Sequence, residues 1–162
     1  MEVDADNAGD QETRRSTVGQ IAFVGGHAVK HMCNLLHVIG LSSAENEYYA
    51  ISAGACTGLG LQSLLADWGI ESSVDFFSDA SAARAFASRR GLGKMRHIQT
   101  RYLWTQERIA AGHLTLSCVK PEDNHADLLT KIFAFKDIQK HMTAIGQHFE
   151  AGRAQVARPV LK

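Results

Sequence analysis

The spacing of hydrophobic and polar positions changes twice along this chain. Early on it runs in short extended stretches. "MEVDADNAGD" begins with barely a strand, Met1 to Val3, and then meets Asp4, Asp6 and Asp10. Gln20 to Val24 forms a second apolar strand closed by Gly25-Gly26, a pair that suits a hairpin turn, and "HAVKHMCNLLHVIG" reads as its partner. From about Ser43 to Trp68 the pattern becomes helical. Leu61, Leu64, Leu65 and Trp68 fall on one stripe, and Gly69 fits a helix stop. Gly54, Gly58 and Gly60 weaken this helix by ~1 kcal/mol each relative to alanine, so its middle is either soft or closely packed. Strand and helix then take turns. "VDFFSD" reads as a short buried strand, with Asp79 at its junction with an alanine-rich helix. "RHIQTRYLWTQERIAAG" reads as a helix, "HLTLSCVK" as a strand, "PEDNHADLLTK" as the lead into a short helix, and "FKDIQKHMTAIGQHF" as the last helix.

The resulting order, β-β-β-α-β-α-α-β-α-α, predicts the α/β class: a mixed five-stranded sheet flanked by helices, antiparallel at first and built from strand-helix units later. One domain over residues 1–149 is expected, with a shortened first strand and a loose tail at 150–162. Hydrophobic residues make up 45% of the 162, which suits a packed core rather than disorder, and the formal net charge is zero. Overall charge therefore gives no argument for nucleic acid, and any such case rests on local clusters. Cys33, Cys56 and Cys118 are odd in number and form no CxxC pair, which points to a reducing, cytoplasmic setting. The nucleus is compatible with that setting. No apolar run is long enough to span a membrane, and the acidic start is unlike a signal peptide.

The long helix opens with a puzzle. Ser42 and Glu45 have the capping-box spacing, yet a second acid, Glu47, follows where the apolar face begins. Three other acids share its setting. Asp4 ends the first strand, Asp79 ends "VDFFSD", and Asp127 opens the segment after the last strand. In open α/β sheets, sites gather at the carboxyl ends of strands. Clustered carboxylates repel one another unless a cation sits among them, and hard divalent ions take oxygen ligands. The pattern suggests Mg²⁺ and phosphate-ester chemistry. Acids in such places also serve as caps and dipole partners, so spacing alone leaves both roles open.

Five ordered segments narrow the choice: "DADNAGD", "RRSTVG", "LSSAENEYYA", "RHIQTRY" and "ADLLTK". Over roughly residues 3 to 149 the chain resembles the ribonuclease H domain of copia-type retrotransposon Pol polyproteins. The resemblance implies a ribonuclease H-like fold and a four-carboxylate set, carried by motif onto Asp4, Glu47, Asp79 and Asp127. It implies that these four bind metal and catalyse, with two Mg²⁺ ions, or Mn²⁺ in their place. The implied reaction is two-metal hydrolysis of the RNA strand of an RNA/DNA hybrid, beside a reverse transcriptase domain of the parent polyprotein. On this reading Glu47 turns inward to hold metal while Glu45 caps the helix.

A basic stretch supports a nucleic-acid partner independently. Arg84, Arg89, Arg90, Lys94, Arg96 and Arg101 fall between Asp79 and Glu107 with no acid among them, and His97 lies within the same run. A solvated surface is the other reading of that stretch. Trp104 fits either the core or a stacking platform, and His125 either an exposed loop or a proton-transfer role. The histidines and cysteines show no zinc spacing. Departures from the family pattern touch the scaffold and spare the acids. Asn7 stands where the family has an aromatic, "VKHMCNLLHVIG" lacks the usual Trp-Ser and Gln, and Ile132 replaces a proline. The polymerase, protease and integrase parts of such a polyprotein are not in this sequence. Two readings follow: a working endonuclease, or a decayed remnant that keeps the fold and weak nucleic-acid binding.

Overall fold

The shortest strand expected from the sequence is the central one. The structure, a computed structural model, describes residues 1–93 and 95–149. Lys94 and the tail from residue 150 therefore lie outside the described residues. The five strands are β1 (Glu2–Ala5), β2 (Thr17–Val24), β3 (His27–Leu35), β4 (Asp75–Ser78) and β5 (Thr115–Cys118). They form one mixed sheet in the order β3-β2-β1-β4-β5. β1, β2 and β3 pair antiparallel, whereas β4 runs parallel to β1 and β5 parallel to β4. This is the arrangement expected of a ribonuclease H-like fold. The four α-helices are α1 (Ser43–Asp67), α2 (Ser81–Ala87), α3 (Trp104–Ala110) and α4 (Phe135–Ala144).

Alternation along β1 decides what each face receives. Val3 and Ala5 point toward α1 and join a core with Tyr48, Ile51, Ala55, Phe76 and Phe86. Asp4 points to the opposite face. Its cross-strand partner is Gly19. A Cβ on Gly19 would lie 2.6 Å from the Ala126 carbonyl oxygen and 2.9 Å from the Leu129 Cβ. The bare glycine thus lets a 3₁₀ turn, His125–Leu129, settle against the sheet above Asp4.

Close packing explains Gly54 and Gly58 but not Gly60. A Cβ at Gly54 would meet Val3 Cγ1 at 2.7 Å and Phe76 Cε1 at 2.9 Å, and both neighbours are fully buried. At Gly60 an added Cβ would meet nothing within 4 Å. Gly54→Ala should therefore cost about 1–3 kcal/mol of packing strain, only partly offset by helix propensity, while Gly60→Ala should gain up to about 1 kcal/mol. Urea midpoints for the two variants should move in opposite directions. Equal shifts would show that α1 does not seat on the sheet through Gly54.

Three expectations need adjustment. The stripe on the second half of α1 divides: Leu61 and Leu65 are half-buried, whereas Leu64 and Trp68 are 44% and 69% exposed. The helix does stop as expected. The N–H of Gly69 donates to Ala66 and that of Ile70 to Leu65, with Gly69 at φ 76°. The helix expected from Arg96 onward begins only at a 3₁₀ turn, Thr100–Leu103, because Gln99 is extended. Burial of Ile98 holds the preceding residues as turns against the core. Finally, "PEDNHADLLTK" makes two 3₁₀ turns rather than an α-helix.

Candidate metal centre and its basic flank

Separate elements deliver the carboxylates. Asp4 comes from β1, Glu47 from the first turns of α1, Asp79 from the residue after β4, and Asp127 from the 3₁₀ turn above Gly19. Asp4, Glu47 and Asp79 each present an oxygen within 4.8 Å of the others. Asp127 stands beside this trio rather than within it, and Lys131 is the link. The Lys131 Nζ lies 2.7 Å from Asp127 Oδ2 and 3.3 Å from Asp4 Oδ1. The Thr130 hydroxyl donates to the other Asp4 oxygen.

The electrostatics of this cluster are unfavourable without a further cation. Glu47 Oε2, Asp79 Oδ1 and Asp127 Oδ1 are buried and have no hydrogen-bond partner. Burial, reinforced by the charges of Asp4 and Asp79, pushes the Glu47 carboxyl up to about 9. Burial also raises Asp127, to about 6, against the pull of the Lys131 ammonium. Orphaned, mutually repelling carboxylate oxygens are a donor set for a hard divalent cation, so this buried acidic cluster could hold a metal.

Glu45 has a different task from Glu47. Ser42 caps α1 by accepting from the Glu45 N–H at 3.3 Å. The Glu45 carboxylate, 2% exposed, accepts from the Leu41 N–H at 3.0 Å, the Tyr49 hydroxyl at 2.6 Å and His97 Nε2 at 2.8 Å. Burial alone would raise its pKa, but these bonds outweigh burial and hold it below the usual range. His97 thus ties the 88–99 segment to α1 two residues from Glu47. Asn7, the odd residue after "DAD", accepts from the Asn46 amide at 3.0 Å.

The basic residues flank the acids unevenly. Arg84 is nearest, its Nη1 donating to the Ser78 carbonyl at 2.5 Å, next to Asp79. Arg89 lies over the Phe86 ring and donates to Leu92. Arg101 lies over the Tyr102 ring. Arg90 and Arg96 are exposed, and neither has a partner among the described residues. Trp104 is half-buried and packs against the core, with Arg108 over its ring. His125 sits away from the acids, its Nδ1 2.9 Å from that of the buried His141.

Lys131 and the Glu45–His97 pair are the contacts in and beside the candidate site that sequence reasoning passed over. The i, i+4 spacing of Asp127 and Lys131 was a signal for the first. Nothing in the spacing signals the second, whose partners are 52 positions apart.

Three comparisons with known plant proteins agree with the resemblance. The chain is 26% identical over 147 residues to "Retrovirus-related Pol polyprotein from transposon TNT 1-94" of Nicotiana tabacum, covering 90% of this chain and 11% of that protein. It is 28% and 29% identical over 146 residues to the corresponding polyproteins from transposons RE1 and RE2 of Arabidopsis thaliana, covering 88% of this chain and 10% of each. The chain is similar to retrovirus-related Pol polyproteins of transposons. It spans about a tenth of the length of these Pol polyproteins. No family model matches the chain, and no solved structure does. No described helix is long and apolar enough to cross a membrane.

Proposed function

We propose that this chain is a ribonuclease H domain that hydrolyses the RNA strand of RNA/DNA hybrids during retrotransposon reverse transcription. The observation that carries the reading is the set of unpartnered buried oxygens on Glu47, Asp79 and Asp127, beside Asp4, at the carboxyl ends of β1 and β4. Similarity to Pol polyproteins supports it. Asp4, Glu47, Asp79 and Asp127 would hold Mg²⁺, or Mn²⁺ in its place. When bound, such ions supply an activated water and charge stabilisation at the scissile phosphate.

The chain's own groups do the rest. Asp4 accepts from Thr130 on one oxygen and from Lys131 on the other, and the Thr130 bond orients its carboxylate in the site. Glu47 and Asp79 face it from the other elements. Arg84, anchored on the Ser78 carbonyl, places positive charge where a phosphate would approach. Arg89, Arg90, Lys94, Arg96 and Arg101 would follow the nucleic-acid backbone, with His97 holding the segment in place. An A-form-like hybrid would be read through phosphates, 2′-hydroxyls and groove shape rather than base edges. A reverse transcriptase domain of a parent polyprotein would be the natural neighbour, inside the cell.

The direct test is incubation of purified protein with a labelled RNA/DNA hybrid, with and without Mg²⁺, alongside RNA and DNA duplexes. Hybrid-specific, Mg²⁺-dependent cutting is expected. Binding of the hybrid without cutting in either Mg²⁺ or Mn²⁺ would instead identify a remnant. The basic flank has its own test. Arg90→Gln with Arg96→Gln should weaken hybrid binding and flatten its log-log salt dependence by roughly one unit per lost contact. An unchanged slope would make these arginines ordinary surface.

A further inference from the structure

The acids do not share one environment. Asp4, Glu47 and Asp79 converge without an intervening cation, and Glu47 and Asp79 keep unpartnered buried oxygens. Asp4 and Asp127, by contrast, are bridged by a single ammonium, at 3.3 Å and 2.7 Å. Asp127 is 6% exposed and Asp4 1%, so this bridge is largely withdrawn from water on the carboxylate side. Lys131 itself is not trapped, because its side chain is 43% exposed and can reach solvent by rotating its stem. Asp127 Oδ1 is buried with no partner among the described residues even while Oδ2 holds the lysine.

We propose that Lys131 is a built-in cation that fills the place between Asp4 and Asp127, so that the protein free of nucleic acid takes one divalent ion, at Asp4, Glu47 and Asp79, and admits a second only when Lys131 swings out. This deepens the metal-centre reading above and rests on it. The physical argument is occupancy. An ammonium and a divalent ion cannot both sit between the same two carboxylates, and their mutual repulsion in a partly buried site is far stronger than in water. Asp4 serves both halves: its Oδ1 accepts from Lys131 and its Oδ2 from Thr130, while its carboxylate also lies within 4.8 Å of those of Glu47 and Asp79, so loading of the second position must break the Asp4–Lys131 contact. The lysine so released would carry its charge at the mouth of the site, where a substrate phosphate would approach. Lys131 is thus a positioning residue.

The test counts ions. Mn²⁺ binding to the full chain, without nucleic acid, is followed by the electron paramagnetic resonance of free Mn²⁺. The parent should bind one ion tightly. Lys131→Met should bind two, and Lys131→Arg, which keeps the charge, should remain at one. In chelator Lys131→Met should melt below the parent, and Mn²⁺ should raise its melting temperature by more than it raises the parent's. A second measurement uses the parent alone: acetylation of the Lys131 amine should quicken as Mn²⁺ is raised to concentrations that load the second position. A parent that binds two ions tightly, a Lys131→Met variant with unchanged stoichiometry, or an acetylation rate indifferent to Mn²⁺ would each overturn the proposal. A salt bridge that merely holds structure would lower the melting temperature without changing the ion count. Absence of any Mn²⁺ binding in parent and variants would sink the metal centre itself, a failure distinct from these.

Discussion

Asp79→Asn should abolish hybrid cleavage while leaving the metal-free protein at least as stable as the parent. The loss should be about a thousandfold or more, since charge stabilisation by metal is worth several kcal/mol and ~1.4 kcal/mol is tenfold. The structure sharpens the stability half of this expectation. If Asp79 were a helix cap, its removal would be costly. It is not one. The residue at the cap of α2 is Ala80, with no side-chain cap bond, and the Ala80 N–H is taken by the Ser78 hydroxyl at 3.2 Å. Asp79 Oδ1 is buried without a partner, and its charge adds to the burden on Glu47. The near-isosteric amide therefore removes repulsion and little else. Two measurements decide: cleavage in Mg²⁺ and thermal melting in chelator. Full cleavage by the variant would refute the metal role. A melting temperature well below the parent's would mean that Asp79 supports the fold in a way its contacts do not reveal.

The second large effect is a stability that declines with rising pH when metal is withheld. Glu47 is raised to about 9 by burial and by Asp4 and Asp79, from an unfolded value of 4.5. Between those values the native state keeps a proton that the unfolded chain has released. The Glu47 contribution to stability is thus fully present below about pH 4.5 and is lost as pH rises toward 9. Asp127, raised to about 6, works in the same direction over a lower window. His125 and His141, both lowered from 6.5 chiefly by burial, work oppositely, but only on the acid side. Melting should therefore be followed from pH 7 to 9 in chelator. Half-burial of Glu47 limits the expected loss to about 2 kcal/mol, or roughly 4–8 °C for a chain of this size. Glu47→Gln should remove the slope and melt above the parent at pH 8. Mg²⁺ should also remove it, because a cation favours the ionised carboxyl. A flat parent profile, or the same slope in Glu47→Gln, would show that Glu47 does not sit in an acidic cluster.

Much of this architecture could be read along the chain. Period-two stretches, the Gly25-Gly26 hairpin and the Ser42-capped helix gave the strand-helix order, because each is a local pattern enforced by burial on one face. Glu47 stood out because a carboxylate beside Tyr48 and Tyr49 contradicts the apolar face it interrupts. What could not be read was determined by packing between distant elements. Gly54 looked like a weakness in α1 and is a contact with Val3 and Phe76. Leu61, Leu64, Leu65 and Trp68 share one stripe by spacing, yet Leu64 and Trp68 are exposed. Helical period from Arg96 onward competed with the burial of Ile98, and burial prevailed. Within the site, the four acids could be named from motifs, but the division of labour among them could not. Lys131 sits in the same "ADLLTK" segment as Asp127, and only the position of that turn above Gly19 brings it to Asp4.

The Lys131–Asp4 contact joins residues 127 positions apart in the chain. A growing polypeptide on the ribosome has Asp4, Glu47 and Asp79 exposed long before the turn that carries Asp127 and Lys131 emerges. Until then the turn that settles above Gly19 and Asp4 is missing. The acidic cluster is therefore complete only when segments from both ends of the domain have folded together, so its closure reports the folding of the whole unit rather than of any local stretch.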